Sequence, residues 1–147
     1  MNKILVTGGA GFIGSNFIYY CLKNNNKILN YDVLSYAGNI NNLEKITDYE
    51  KYEFINGDIC DKECLANSLS KFKPDFLVNF AAESHVDRSI DDSSDFIKTN
   101  ILGTSVLLDC CLEYSKKTNN NFKFIHISTD EVYGSLTSTG LFSEKTS

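Results

Sequence analysis

Arginine is nearly missing from this chain: Arg88 is the one arginine among 14 basic residues. Its planar fork is the side chain best suited to bidentate grips on anions. Without it, any phosphate held here is expected to rest on backbone amides. The chain also lacks a basic excess. Net charge is −5 with 42% hydrophobic and 22% charged residues, which argues against a nucleic-acid or anionic-membrane partner, since either needs a basic face. The five cysteines (21, 60, 64, 110 and 111) form no CxxC and no paired framework. An odd count without a signal sequence reads as reduced and cytoplasmic. His85 and His126 lie far from Cys60 and Cys64, so no metal site is expected. No apolar run reaches the roughly 20 residues that would span a bilayer. Internal repeats and low-complexity linkers are absent too.

What is present is an alternation of strand and helix signals. Lys3 to Thr7 is a short apolar run feeding glycine, the pattern of a buried strand. Phe12 to Lys23 changes period, with Ile13, Phe17, Ile18, Cys21 and Leu22 in one helical stripe, and Asn24-Asn25-Asn26 stops it. Lys27 to Tyr31 predicts a second strand closing at Asp32, and Tyr52 to Ile55 a third ending at Gly57-Asp58. Asp61 is placed to cap a helix bearing Leu65, Leu69 and Phe72. Past Pro74, Phe76 to Phe80 predicts a fourth strand. A helix over 94–114, capped by Ser93 or Ser94, carries Ile97, Ile101, Leu102, Leu107, Leu108 and Leu112. Phe122 to Ser128 is the fifth strand, its apolar run formed by Phe124, Ile125 and Ile127. The asparagine runs at 24–26, 41–42 and 119–121 read as turns and loops. At 147 residues this is one domain, of the α/β class, with a doubly wound parallel sheet covered on both faces.

Gly8, Gly11 and Gly14 fall at G-x-x-G-x-x-G spacing between the first strand and the first helix. One glycine permits the turn, one lets backbone approach a pyrophosphate, and one lets helix pack on strand. The helix N-terminus adds free N–H groups and partial positive charge. A tight turn without ligand would use the same residues, but strand before and helix after are the context a dinucleotide loop requires. Asp32 follows Gly14 by 18 residues, close to the spacing of about 20 at which a carboxylate meets the adenosine ribose. Such a carboxylate repels a 2′-phosphate, so NAD is favoured over NADP; the competing reading is a turn aspartate. Asp58 and Ile59 are placed to meet the adenine edge, although Gly-Asp after a strand is also ordinary turn chemistry.

Ligands of open parallel sheets bind outside the carboxyl ends of the strands. Ala81-Ala82-Glu83-Ser84 and Thr129-Asp130-Glu131 begin where the fourth and fifth strands end. Adjacent carboxyl groups can divide into acid and base when their surroundings separate them. Alternatively, Asp130 caps the following turn and Glu131 is solvated. Asp87 and Arg88 read as a loop ion pair or edge contact, and His85 as a hydrogen-bonding loop residue. Cys110 and Cys111 are expected in the core of the long helix. Tyr133 lines the site or packs over the strand end.

Taken together, residues 7–14 (TGGAGFIG), 36–39 (YAGN), 57–61 (GDICD), 81–90 (AAESHVDRSI) and 127–134 (ISTDEVYG) resemble the dTDP-glucose 4,6-dehydratases. These are extended short-chain dehydrogenase/reductases acting on nucleotide sugars. The resemblance implies a Rossmann-type NAD-binding domain over 1–147, with NAD held by Gly8, Gly11, Phe12, Ile13, Gly14, Asp32, Ser35, Asp58, Ile59, Ala81 and Thr99. It implies oxidation of the sugar at C4, loss of water across C5 and C6, and return of hydride to C6. Glu131 would take the C5 proton, Asp130 would protonate the departing hydroxyl, Thr129 would bind the C4 oxygen and Ser84 the dTDP-glucose. Members of the family carry a Tyr-x-x-x-Lys pair on the next helix, a C-terminal substrate domain and a homodimer interface. Phe142 to Ser147 resembles the segment just before that pair, so the chain is expected to be an N-terminal part, truncated after about five strands and inactive by itself. The other readings are a catalytically silent NAD-binding fragment, half of a split enzyme, or a related UDP-sugar dehydratase or epimerase.

Overall fold

Five parallel strands form one sheet in the order β3–β2–β1–β4–β5. The protein is seen here as a computed structural model that describes residues 1–46, 50–85, 90, 93–118, 122–136 and 139–147. The asparagine run at 119–121 and the run Val86-Asp87-Arg88-Ser89, with its Asp87 and Arg88, lie outside the described residues.

The strands are β1 (Lys3–Thr7), β2 (Lys27–Asp32), β3 (Tyr52–Asn56), β4 (Phe76–Asn79) and β5 (Lys123–His126). Helix α1 (Phe12–Lys23) joins β1 to β2, and α2 (Lys62–Phe72) joins β3 to β4. Between β4 and β5 runs a long helix, α3. It is built from Ser94–Phe96, a π-helical stretch Ile97–Gly103, and a regular stretch Thr104–Thr118.

Alternation along the strands sorts the core into two layers. Ile4, Val6, Ile28 and Val78 pack with Ile18 and Cys21 of α1. Leu5, Leu29, Tyr31 and Leu77 pack with Leu65 and Leu69 of α2 and Leu107 of α3. Register enforces this sorting: Leu5 pairs with both Leu29 and Leu77, while Ile4 pairs with Ile28 and Val6 with Val78. Each wholly buried leucine contributes about 1.5–3 kcal/mol against exposure. Asp61 caps α2 by accepting from the Cys64 N–H at 3.0 Å. The asparagines after α1 end it, with Asn25 at φ +60 and Asn24 N–H bonded to Tyr20 O.

Three sequence expectations change. Ile13 leaves the buried stripe of α1 and stands 62% exposed at the helix start. In α3, whose inward side the sequence pattern leaves open, the buried face is Gly103, Leu107, Cys110, Cys111 and Tyr114, and Ile97, Ile101, Leu102, Leu108 and Leu112 face solvent. This helix is apolar on two sides, so periodicity alone does not choose which one meets the sheet. Its start has no side-chain cap from Ser93. Finally, β5 is shorter than 122–128 and half open, with Ile125 and Ile127 exposed, because it pairs with β4 on one side only among the described residues.

All five cysteines are free thiols. Burial pushes Cys21 up to about 11 and Cys111 up to about 12, so as core positions they are poor nucleophiles near neutrality. Among the described residues no helix is long and apolar enough to cross a membrane.

Candidate functional site: a crevice at the carboxyl ends of the strands

β1 and β4 are neighbours, yet α1 leaves β1 for one face of the sheet and α3 leaves β4 for the other. That divergence opens a crevice at their carboxyl ends, the usual ligand position in such sheets. The glycine loop enters it first. Gly8 stands at φ +71, and a Cβ there would lie 2.5 Å from Ala81 N and 2.7 Å from Ala81 Cα. A Cβ on Gly14 would strike the Gly8 carbonyl and come within 2.8 Å of Gly9 Cα. At Gly11 the nearest atom to a Cβ is Gly8 O at 3.4 Å, so the loop is open at its crest. At Gly9, outside the sequence reading, a Cβ would come within 2.6 Å of Ile18 Cδ1 and strike the Asn30 side chain.

Helix α1 starts at this crest with Gly11 as its cap residue, no side-chain cap bond and no acidic residue in its first turn. Phe12 is 81% exposed beside Ile13. The first N–H groups of a helix have no intrahelical acceptor and carry the positive end of its dipole. An uncapped N-terminus over an open glycine crest fits a pyrophosphate.

Asp32, at the end of β2, is only 6% exposed. One carboxylate oxygen accepts from Ala10 N–H at 2.8 Å and the other from Leu34 N–H at 2.7 Å. It therefore ties the glycine loop to the turn beyond β2. Each oxygen keeps a further acceptor position for a ribose hydroxyl. The segment 36–39 completes the tie: Asn39 N–H reaches Ala10 O at 3.1 Å, and Gly38 N–H reaches the carbonyl of exposed Ser35 at 3.0 Å. Asn42 Nδ2 adds a second donor to Ala10 O at 2.9 Å.

Beyond β3, Asp58 Oδ1 accepts from Cys60 N–H at 2.9 Å, and Oδ2 sits 3.1 Å from Lys98 Nζ. Burial alone would raise this carboxyl, but the Cys60 hydrogen bonds and Lys98 outweigh it and hold it below its usual range. The Ile59 side chain is buried in the α2–α3 core layer, so any contact to a base would come from its backbone.

Asn79 closes β4 with a buried network that composition did not reveal. Its Oδ1 accepts from Thr7 Oγ1 at 2.5 Å and Ala81 N–H at 3.1 Å. Its Nδ2 must then donate to His126 Nδ1, 2.9 Å away, which leaves the neutral ring's proton on Nε2. Thus the ends of β1, β4 and β5 are locked together beneath the crevice. Asn100, in the π-helical stretch, accepts from Glu83 N–H and donates to Glu83 O, each at 2.9 Å. The sequence signal was one amide among the apolar positions of α3. Thr99 beside it is half-buried, and Ser84 is exposed at the crevice mouth. His85 meets Tyr36 edge-on at 6.5 Å between ring centroids, so the loops after β2 and β4 approach each other.

Thr129, Asp130 and Glu131 follow β5 on the same end of the sheet. Thr129 Oγ1, not Asp130, caps the 3₁₀ turn Asp130–Tyr133, accepting from Glu131 N–H at 3.3 Å. Both carboxyl groups are exposed; no described residue covers one and leaves the other in water. Tyr133 stacks on Phe142 with centroids 5.4 Å apart. Among the described residues no group of three or more His, Cys, Asp or Glu gathers at metal-holding distance.

The fold and crevice are those of a doubly wound α/β domain with a parallel sheet. A family model described as GDP-mannose 4,6 dehydratase matches residues 5–147, and the chain belongs to that family. A probable dTDP-glucose 4,6-dehydratase of Sinorhizobium fredii is 45% identical over 146 residues, covering 97% of this chain and 42% of the relative. Among solved structures, the dTDP-glucose 4,6-dehydratase of Bacillus anthracis in complex with NAD superposes with TM-score 0.82 at 45% identity, over 100% of this chain and 44% of that one. The same enzyme from Streptomyces venezuelae, with NAD and TYD bound, gives TM-score 0.86 at 41% identity over 99% and 44%. The chain thus spans less than half the length of these relatives.

Proposed function

We propose that residues 1–147 form the NAD-binding domain of a dTDP-glucose 4,6-dehydratase, a cytoplasmic lyase that makes dTDP-4-keto-6-deoxyglucose for deoxysugar synthesis. The observation that carries this is the uncapped α1 N-terminus over the open crest at Gly11, with Asp32 held beside it. The Gly8, Gly11, Phe12, Ile13 and Gly14 backbone would hold the pyrophosphate. Asp32 and Ser35 would face the adenosine ribose, Asp58 and Ile59 the adenine, and Ala81 and Thr99 the path toward the nicotinamide. Bound NAD supplies a hydride acceptor for C4 oxidation and a donor for C6. Thr129 would hold the C4 oxygen and Ser84 the substrate. A ketone at C4 acidifies the C5 proton, which Glu131 takes, while Asp130 gives a proton to the C6 hydroxyl as it departs as water. The exposed α3 stripe of Ile97, Ile101, Leu108 and Leu112 supports a homodimer interface, and the acidic net charge supports the absence of a nucleic-acid partner.

A thermal-shift titration of the purified chain tests the cofactor reading. NAD+ at one hundred times its Kd adds about 2.7 kcal/mol, a rise of about 5–10 °C for a domain of this size, and NADP+ at equal concentration adds little. Equal shifts with both, or none, would refute it. The catalytic reading predicts that Glu131→Gln, in a protein extended to its relatives' length, lowers dehydration about 10²–10⁴-fold while C4 oxidation persists. Loss of both steps together would remove Glu131 from the role of C5 base.

A further inference from the structure

We infer that Lys98 is a positioning residue of the adenine end of the crevice, holding Asp58 as an ionised acceptor for the exocyclic amino group of a 6-aminopurine; this rests on the reading of the crevice as a dinucleotide site. α3 touches three consecutive residues of the turn after β3, Asp58, Ile59 and Cys60. Lys98 Nζ lies 3.1 Å from Asp58 Oδ2. The carbonyl of the same Lys98 accepts from the Cys60 thiol at 3.3 Å. Gly103 lets the helix close on the residue between them, since a Cβ there would come within 2.6 Å of Ile59 Cδ1. From below, Tyr31 donates its hydroxyl to Asp58 O at 3.0 Å, so the turn is fixed on both sides. The π-helical stretch Ile97–Gly103 is the part of α3 that does this, and such stretches recur at functional sites.

The chemistry follows from the acceptor count. An ionised carboxylate only accepts hydrogen bonds. Cys60 N–H and Lys98 take one position on each oxygen, and the remaining positions suit a donor such as an amino group. A 6-oxopurine offers an acceptor there and is repelled. Lys98 favours the charged form of Asp58 and fixes its rotamer, so its loss should be felt by the amino-bearing base and hardly by the oxo-bearing one.

Calorimetric titration of the full chain with NAD+ and with nicotinamide hypoxanthine dinucleotide, which bears oxygen in place of that amino group, tests this. Wild type is expected to prefer NAD+ by about tenfold, the scale of one hydrogen bond to a charged group. Lys98→Met should cut that preference about threefold, the scale of an exposed ion pair, through weaker NAD+ binding, and Lys98→Arg should restore it. The urea midpoint of Lys98→Met should match wild type, showing that the fold is intact. An unchanged preference in Lys98→Met, or equal weakening of both dinucleotides, overturns the role of Lys98. Wild type that binds both without discrimination overturns this inference alone; wild type that binds neither overturns the dinucleotide reading as well.

Discussion

Gly8→Ala should abolish NAD+ binding and bring the chain close to unfolding. Two costs add at this position. An alanine at φ +71 enters the left-handed region, at about 1–3 kcal/mol for a residue other than glycine. Its methyl group then meets backbone, at 2.5 Å from Ala81 N and 2.7 Å from Phe80 C. Forcing atoms into a packed region adds about 1–3 kcal/mol, toward the upper end here because the neighbour cannot retreat. Phe80 N–H is bonded to Thr7 O at 2.9 Å, and Ala81 N–H to Asn79 Oδ1 at 3.1 Å. The sum, about 3–6 kcal/mol, is a large part of the 5–15 kcal/mol that stabilises an ordinary domain. Gly11→Ala is the control, since its Cβ meets nothing closer than 3.4 Å. Urea unfolding should show it near wild type in stability, while NAD+ titration shows weakened binding, because the methyl group occupies the approach to the pyrophosphate. Equal stability of Gly8→Ala and wild type would mean that the β1–β4 contact is not as tight as described.

The sheet could be read from the sequence because its inner strands β1, β2 and β4 are apolar runs buried on both faces, and β1, β2 and β3 run out at Gly8, Asp32 and Gly57. Ile4-Leu5-Val6 and Phe76-Leu77-Val78 leave no alternative to central strands. Lys27-Ile28-Leu29 reads the same way, and the observed bounds of β1 and α1 match the predicted ones. What resisted reading was of two kinds. Where an element is apolar on more than one side, as in α3, the pattern gives the helix but leaves its orientation open, and the fold turns the stripe of Ile97, Ile101 and Leu108 outward. Where a site is built from long-range polar contacts, residue type carries no warning. Asn79 and Asn100 tie the loop after β4 to the rest of the crevice through partners 2 to 72 positions away. The glycine triplet was readable as a motif, whereas the need for glycine at position 9 comes from Ile18 and Asn30, which only the fold brings beneath it.

Asp32→Asn should destabilise the chain before any cofactor is added, by about 3 kcal/mol in urea unfolding. The sequence offered two separate roles for this residue, ribose acceptor or turn aspartate; the geometry shows the second, and the proposed cofactor site adds the first. Its oxygens accept from two N–H donors, Ala10 and Leu34, at 2.8 and 2.7 Å. An asparagine keeps one acceptor and turns an NH2 toward the other donor. That loses a hydrogen bond to a charged group and strands a buried N–H, each worth about 1.5–3 and 1–3 kcal/mol. If the Leu34 bond is the one lost, a further strain is released. Leu34 stands at φ +56, a conformation a leucine keeps only where its surroundings impose it. The turn should then relax and take Ser35 and residues 36–39 away from Ala10. NAD+ affinity should fall more than tenfold for two reasons at once, the missing ribose acceptor and the loosened crest. Simple charge removal would instead predict a switch, since the carboxylate that repels a 2′-phosphate is gone. Because the same carboxylate shapes the loop, Asp32→Asn is expected to gain no useful NADP+ binding. A variant as stable as wild type that binds NADP+ well would show that Asp32 reads the ribose without building the site.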